Sequence, residues 1–293
     1  MTDSTHPPGG DMDTLVSTDW LSDHLHDDDL VVLDCSVYMD PDGDGGMRTV
    51  PGRARYEDGH IPGAGFADLC ADLADPDSAW QFAMPTPERF CAAMGALGVG
   101  DDSRVVLYDG TIAAWAARVW WMLRWVGFDR AALLDGGLQA WTAEGRPLST
   151  EAPAHPQRSL VANVRPELIA DRDEVLAAID DGATCLIDTL MPEHYRGEMQ
   201  MYERPGHIPG ASNVAVTSLL AEGYRFRPLD ELAALHPENR DARTITYCGG
   251  GIAASANAFA MHRLGFSDLA VYTASLQEWA ADPDLPMTTE EAR

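Results

Sequence analysis

Short apolar runs alternate with longer amphipathic stretches along most of the chain, and that alternation predicts strands joined by helices around a mainly parallel sheet. Leu30-Val-Val-Leu-Asp34 and Arg104-Val-Val-Leu-Tyr108 each read as a buried strand, as do Thr184-Cys-Leu-Ile-Asp188 and Thr244-Ile-Thr-Tyr247. Residues 115–126, with the Trp120-Trp121 pair, are apolar nearly all round and predict a buried helix that packs between two halves of the molecule. Arg118 and Arg124 interrupt that run, and no apolar run reaches the roughly 18–20 residues of a membrane span.

The pattern occurs twice. The strand ending in Asp34 is repeated by the one ending in Asp188, and Gly59-His-Ile-Pro-Gly-Ala64 by Gly206-His-Ile-Pro-Gly-Ala211. Arg104-Val-Val-Leu-Tyr-Asp109-Gly is repeated by Arg243-Thr-Ile-Thr-Tyr-Cys248-Gly, and Leu138-Gln-Ala-Trp141 by Leu276-Gln-Glu-Trp279. Order and spacing are kept, which predicts two α/β units, residues 14–150 and 161–288, joined by a Pro-containing linker over 151–160. The first dozen residues are polar with Pro and Gly and predict disorder. The recurrence of His60 and His207 in both copies, one of which lacks a nucleophile, marks them as turn histidines. Asp34 and Asp188 read as structural for the same reason.

The two copies differ at one chemically decisive place. Where the first has Asp109, the second delivers Cys248 into Gly249-Gly250-Gly251, and residues 253–263 predict a helix. A thiol at such a strand-to-helix turn faces free backbone N–H groups and the positive end of a helix dipole, both of which favour thiolate. The expectation is a nucleophilic Cys248 at an open mouth, ringed by amides, with Asp109 marking a first unit without chemistry. The other cysteines, Cys35, Cys70, Cys91 and Cys185, lie far apart in strand-like or helix-like runs and read as buried thiols; no spacing suggests a metal. Gly249-x-Gly251-x-x-Ala254 is a weak dinucleotide fingerprint, and the acid it needs, Asp268, precedes its strand instead of ending it.

Charge narrows the function further. The net charge is −27 and every cation is an arginine. Schiff-base chemistry on lysine is therefore excluded, and nucleic acid is an unsuitable partner because phosphate contacts need a basic face. An anionic substrate would need local arginines, and Arg196 and Arg204, in the segment 193–204, are the candidates. The start lacks the basic and apolar regions of a secretory signal, so a cytoplasmic protein is expected.

Together the doubled Gly-His-Ile-Pro-Gly-Ala, the Tyr247-Cys-Gly-Gly-Gly-Ile-Ala253 loop and Leu134-Asp-Gly-Gly-Leu-Gln-Ala-Trp141 make residues 15–279 resemble a tandem-domain rhodanese, a thiosulfate or 3-mercaptopyruvate sulfurtransferase. The resemblance implies two rhodanese-like domains, each a mainly parallel sheet flanked by helices, the second catalytic. It implies that Cys248 takes a sulfane sulfur from thiosulfate or 3-mercaptopyruvate, becomes a persulfide, and passes the sulfur to cyanide or a thiol without any cofactor. Gly249, Gly250, Gly251, Ile252 and Ala253 would line the sulfur, and Arg196 with either Arg204 or His194 would meet the donor. A protein partner in place of the small acceptor would make the chain a persulfide carrier; a non-enzymatic rhodanese-like binding module is the third alternative. The loop departs from both donor classes: it has neither the Arg-Lys pair of thiosulfate-preferring relatives nor the serine of mercaptopyruvate-preferring ones. Related phosphatases carry an arginine where this chain has Ala254, which argues against phosphate-ester hydrolysis.

Overall fold

The computed structural model describes residues 12–43, 47–153 and 155–289; the stretch expected to be disordered lies almost wholly outside them. Each copy builds a parallel sheet with the same spatial order. In the first the strands run Leu15–Val16, Ala131–Leu134, Arg104–Tyr108, Leu30–Asp34, Gly65–Phe66. In the second they run Ile169–Ala170, Leu269–Tyr272, Thr244–Tyr247, Cys185–Asp188, Ser212–Asn213. Central strands buried on both faces are rich in Val, Ile, Leu and Thr, as parallel sheets covered by helices require. Register puts Tyr108 beside Asp34 and Tyr247 beside Asp188, so Asp109 and Cys248 emerge at equivalent carboxyl ends. Ligand sites of open α/β sheets form at such ends.

The small motifs are duplicated as closely as the sheets. His60 Nδ1 bonds the Tyr56 carbonyl at 2.8 Å and its ring stacks on Tyr56; His207 Nδ1 bonds the Tyr195 carbonyl at 2.7 Å and stacks on Tyr195. Both histidines are buried structural groups. The Ile61 N–H donates to Tyr108 Oη and the Ile208 N–H to Tyr247 Oη. Asp34 accepts the Ser36 N–H and Asp188 the Leu190 N–H, each at 2.8 Å, and burial pushes both carboxyls up to about 6.

The copies meet through two helices that follow the two loops, Ala114–Trp125 and Ile252–Arg263. In the first, every residue but Arg124 is buried. It packs on its twin, with Trp120 edge-on to Phe259 at 4.9 Å. A fully buried tryptophan removes on the order of 200 Å² from water, so Trp120 and Trp121 contribute on the order of 5 kcal/mol each. Because each helix starts where its loop ends, this shared core holds both loops at the interface. The connecting segment expected as a linker is pinned to the first unit: the Arg158 N–H donates to the Gly95 carbonyl and the Val161 N–H to Asp101.

Candidate active site

Thr244–Tyr247 ends at Cys248, and Gly251 at φ 78° turns the chain directly into the helix Ile252–Arg263. Ile252 and Ala253 are thus already helical, and the loop proper is only Cys248 to Gly251. A left-handed residue at the helix start favours glycine. The loop is held from below by the segment after the last strand. The Cys248 N–H donates to Ser275 Oγ at 3.1 Å, and Leu276 and Gln277 N–H groups donate to the Cys248 and Gly249 carbonyls. Ser275 itself sits at φ 55°, a left-handed conformation that costs a non-glycine residue on the order of 1 kcal/mol or more. Its equivalent in the first copy is Gly137, at φ 54°. That glycine-to-serine difference at a strained position was a readable signal of a supporting residue, and motif reasoning passed over it.

Asp109 shows what this kind of loop binds. Its Oδ1 accepts the N–H and hydroxyl of Thr111 at 2.8 and 2.9 Å and the Ala113 N–H at 3.1 Å. Its Oδ2 accepts the N–H groups of Trp115 and Ala116 at 3.1 and 3.0 Å. Four amides and a hydroxyl therefore converge on one buried anion. Aligned from the helix starts, the last three amides correspond to those of Gly251, Ala253 and Ala254.

Two features differ from the open, amide-ringed sulfur that the sequence predicts. Cys248 is only 2% exposed, and no amide among the described residues donates to Sγ. The reason for the second is reach: the carboxylate oxygens of Asp109 lie one bond further from the backbone than a thiol sulfur does. The reason for the first is a cover. The Tyr202 ring lies on the loop so closely that a Cβ at Gly249 would stand 1.6 Å from Tyr202 Oη. Burial, the charge of Cys248 and that of Asp188 all push the Tyr202 hydroxyl upward. On another side the first unit contributes Gln81, whose carbonyl accepts from Gln277 Nε2 at 2.9 Å, and Arg118, beside Gly251.

The segment 193–204 lies next to the loop, where His194, Met199, Met201, Tyr202, Arg204 and Leu276 close around a gap of about 10 Å³ whose lining includes neither Arg196 nor Cys248. Its two arginines are differently placed. Arg196 pairs with Glu198 through two contacts of 2.8 and 2.9 Å on the surface. Arg204 donates to the carbonyls of Trp279, Ala280, Asp282 and Leu285, using four of its five N–H groups. It is a staple that ties the C-terminal segment to the segment 193–204. Of the remaining cysteines, Cys35 and Cys91 are buried and Cys70 and Cys185 are half-buried, the last two lying nearer solvent than expected. Burial raises Cys70 and Cys91 to about 11, which keeps them as inert thiols. Among the described residues, no three His, Cys, Asp or Glu side chains group as metal ligands, and no helix is long and apolar enough to cross a membrane.

A family model described as a rhodanese-like domain matches residues 17–144 and again 171–282. A probable 3-mercaptopyruvate sulfurtransferase of Pseudomonas aeruginosa is 34% identical over 284 residues, covering 94% of this chain and 98% of the relative. A sulfur carrier protein of Thermus thermophilus is 33% identical over 295 residues, covering 95% and 98%. The crystal structure of SseA from Escherichia coli, described with the 3-mercaptopyruvate sulfotransferases, matches with a TM-score of 0.79 at 32% identity, covering 89% of this chain and 98% of that one.

Proposed function

Since the chain belongs to the rhodanese family and is a sulfurtransferase, we propose that it moves a sulfane sulfur from 3-mercaptopyruvate to a thiol or cyanide through a persulfide on Cys248. The observation that carries this reading is the Asp109 loop. There the same strand-loop-helix turn holds a side-chain anion in converging N–H groups, one bond beyond the reach of a thiol sulfur. A persulfide adds one S–S bond of about 2.05 Å and brings its outer, charged sulfur to that distance. The cradle thus fits the loaded state better than the resting one.

The Cys248 thiolate attacks the sulfur of 3-mercaptopyruvate; the S–S bond forms and the C–S bond breaks. The electron pair left on carbon takes the donor's own thiol proton, and pyruvate leaves. An acceptor thiolate then attacks the outer sulfur and returns Cys248 as thiolate. Charge and atoms balance in both steps, and no cofactor takes part. Donor choice follows from charge. With Arg204 engaged by four carbonyls and Arg196 by Glu198, the segment 193–204 offers little to a dianion such as thiosulfate. A monocarboxylate needs one cation, and Arg196 supplies it by exchanging Glu198 for the donor.

Cys248→Ser is expected to abolish sulfur transfer from both donors, and kcat/KM of the parent is expected to favour 3-mercaptopyruvate over thiosulfate at least tenfold. Substantial turnover by the serine variant sinks the assignment of Cys248; equal specificity for the donors sinks the charge argument. The similarity to a sulfur carrier favours a second reading, delivery to a protein acceptor. A carrier would take up the persulfide mass of about 32 Da from donor, yet turn over slowly with cyanide.

A further inference from the structure

The loop around Cys248 carries no cation of its own, yet one reaches it from the other domain. Arg118 lies in the middle of the helix Ala114–Trp125 and is 0% exposed. One of its nitrogens, Nη2, donates to the Phe82 carbonyl at 2.9 Å. Nε and Nη1 are buried with no hydrogen-bond partner among the described residues. Nη1 faces the loop, 3.1 Å from where a Cβ on Gly251 would stand. The carbonyl it does bond belongs to Phe82, which is held at φ 56° with its ring against Trp115.

We propose that Arg118 is the counter-charge of the Cys248 loop, a positioning residue lent by the first domain that stabilises the sulfur when it is anionic, as thiolate and as persulfide. The inference rests on the reading of Cys248 as sulfur carrier and adds what holds that sulfur's charge. A buried guanidinium with two unsatisfied N–H edges is strongly destabilising unless an anion faces it. Among the described residues no carboxylate pairs with it, whereas most surface arginines have one. Burial pulls its guanidinium down to about 10, with the charge of Cys248 working against that fall, and at neutral pH it remains a cation. Among the described residues, Tyr202 is the other titratable group that Cys248 acts on, with Asp188 acting on Tyr202 in turn, and neither is a cation.

The experiment measures how fast iodoacetamide alkylates Cys248 as a function of pH, read by peptide mass so that the other cysteines do not interfere. Parent, Arg118→Gln and Arg118→Lys are compared. A neighbouring opposite charge moves a pKa by about one to three units, so Arg118→Gln is expected to slow alkylation at pH 7 about tenfold and to move the midpoint of the profile upward. Arg118→Lys is expected to restore most of the rate, and the KM for donor should change less than about twofold in either variant. A glutamine profile that overlays the parent's overturns the proposal, even where Cys248 still loads with persulfide. Failure of the parent to load persulfide instead removes the underlying reading of Cys248. Should the glutamine variant not fold, Arg118→Met, which keeps the length and apolar stem of the side chain, is read by the same alkylation profile, and an overlay with the parent's overturns the proposal.

Discussion

Replacing Asp109 by asparagine probes most directly whether this loop is built for an anion. An asparagine keeps one acceptor oxygen and puts an NH2 donor where the other oxygen stood. Placed one way round, it leaves the Trp115 and Ala116 N–H groups facing a donor; placed the other way, it does so to Thr111 and Ala113. Either orientation abandons two buried backbone donors at a helix start. Hydrogen bonds to a charged group contribute about 1.5–3 kcal/mol each, so the expected loss is about 3–5 kcal/mol. At about 2–4 °C per kcal/mol this lowers the melting temperature by roughly 10 °C. Differential scanning calorimetry or urea unfolding at pH 7 reads it.

The control is the same substitution at Asp34, equally buried and on the neighbouring strand, where the opposite sign is expected. Its carboxyl is raised by burial from 3.8 to about 6. Between those values the folded protein holds a proton that the unfolded chain releases, so stability falls as pH rises through the window. Above it the ionised group costs about 3 kcal/mol, from roughly two units at about 1.4 kcal/mol each. An asparagine side chain there would still accept the Ser36 N–H, so Asp34→Asn is expected to stabilise by about 1–2 kcal/mol at pH 7. The gain should vanish near pH 4. An Asp109→Asn variant within about 1 kcal/mol of the parent, or two variants moving alike, refutes the anion cradle.

Other expectations follow from the cover and the arginines. Tyr202→Ala should speed alkylation of Cys248 several-fold by uncovering the sulfur, and Gly249→Ala should do the same because its Cβ displaces that ring. Combining the two should add nothing further, and additive gains would show that the ring is not the cover. Arg196→Ala should raise the KM for 3-mercaptopyruvate about tenfold with little change in melting temperature. Arg204→Ala should do the reverse, destabilising by about 2–4 kcal/mol through four orphaned carbonyls while KM holds. A shared phenotype would contradict their separate placements.

The twofold plan was legible in the sequence because strands, turns and histidines recur at matched spacings, and each copy folds through contacts within itself. The place of Cys248 at a strand-to-helix turn was legible because three glycines after a buried strand have few other uses. What escaped was set by contacts between distant segments. Tyr202 lies in an irregular stretch whose fold onto Gly249 no periodicity announces, and the four carbonyls that hold Arg204 come from the far end of the chain. Arg118 was visible only as a break in an apolar run. Yet the repeat contained its meaning. It is the fifth residue of its helix, and the fifth of the twin helix is Ala256. The Asp109 loop satisfies its carboxylate with its own amides, and the matching position of the opposite helix is an alanine. The loop whose charge comes and goes with sulfur receives a guanidinium. On this reading the first domain contributes more than packing, because its helix supplies the cation that faces the Cys248 loop.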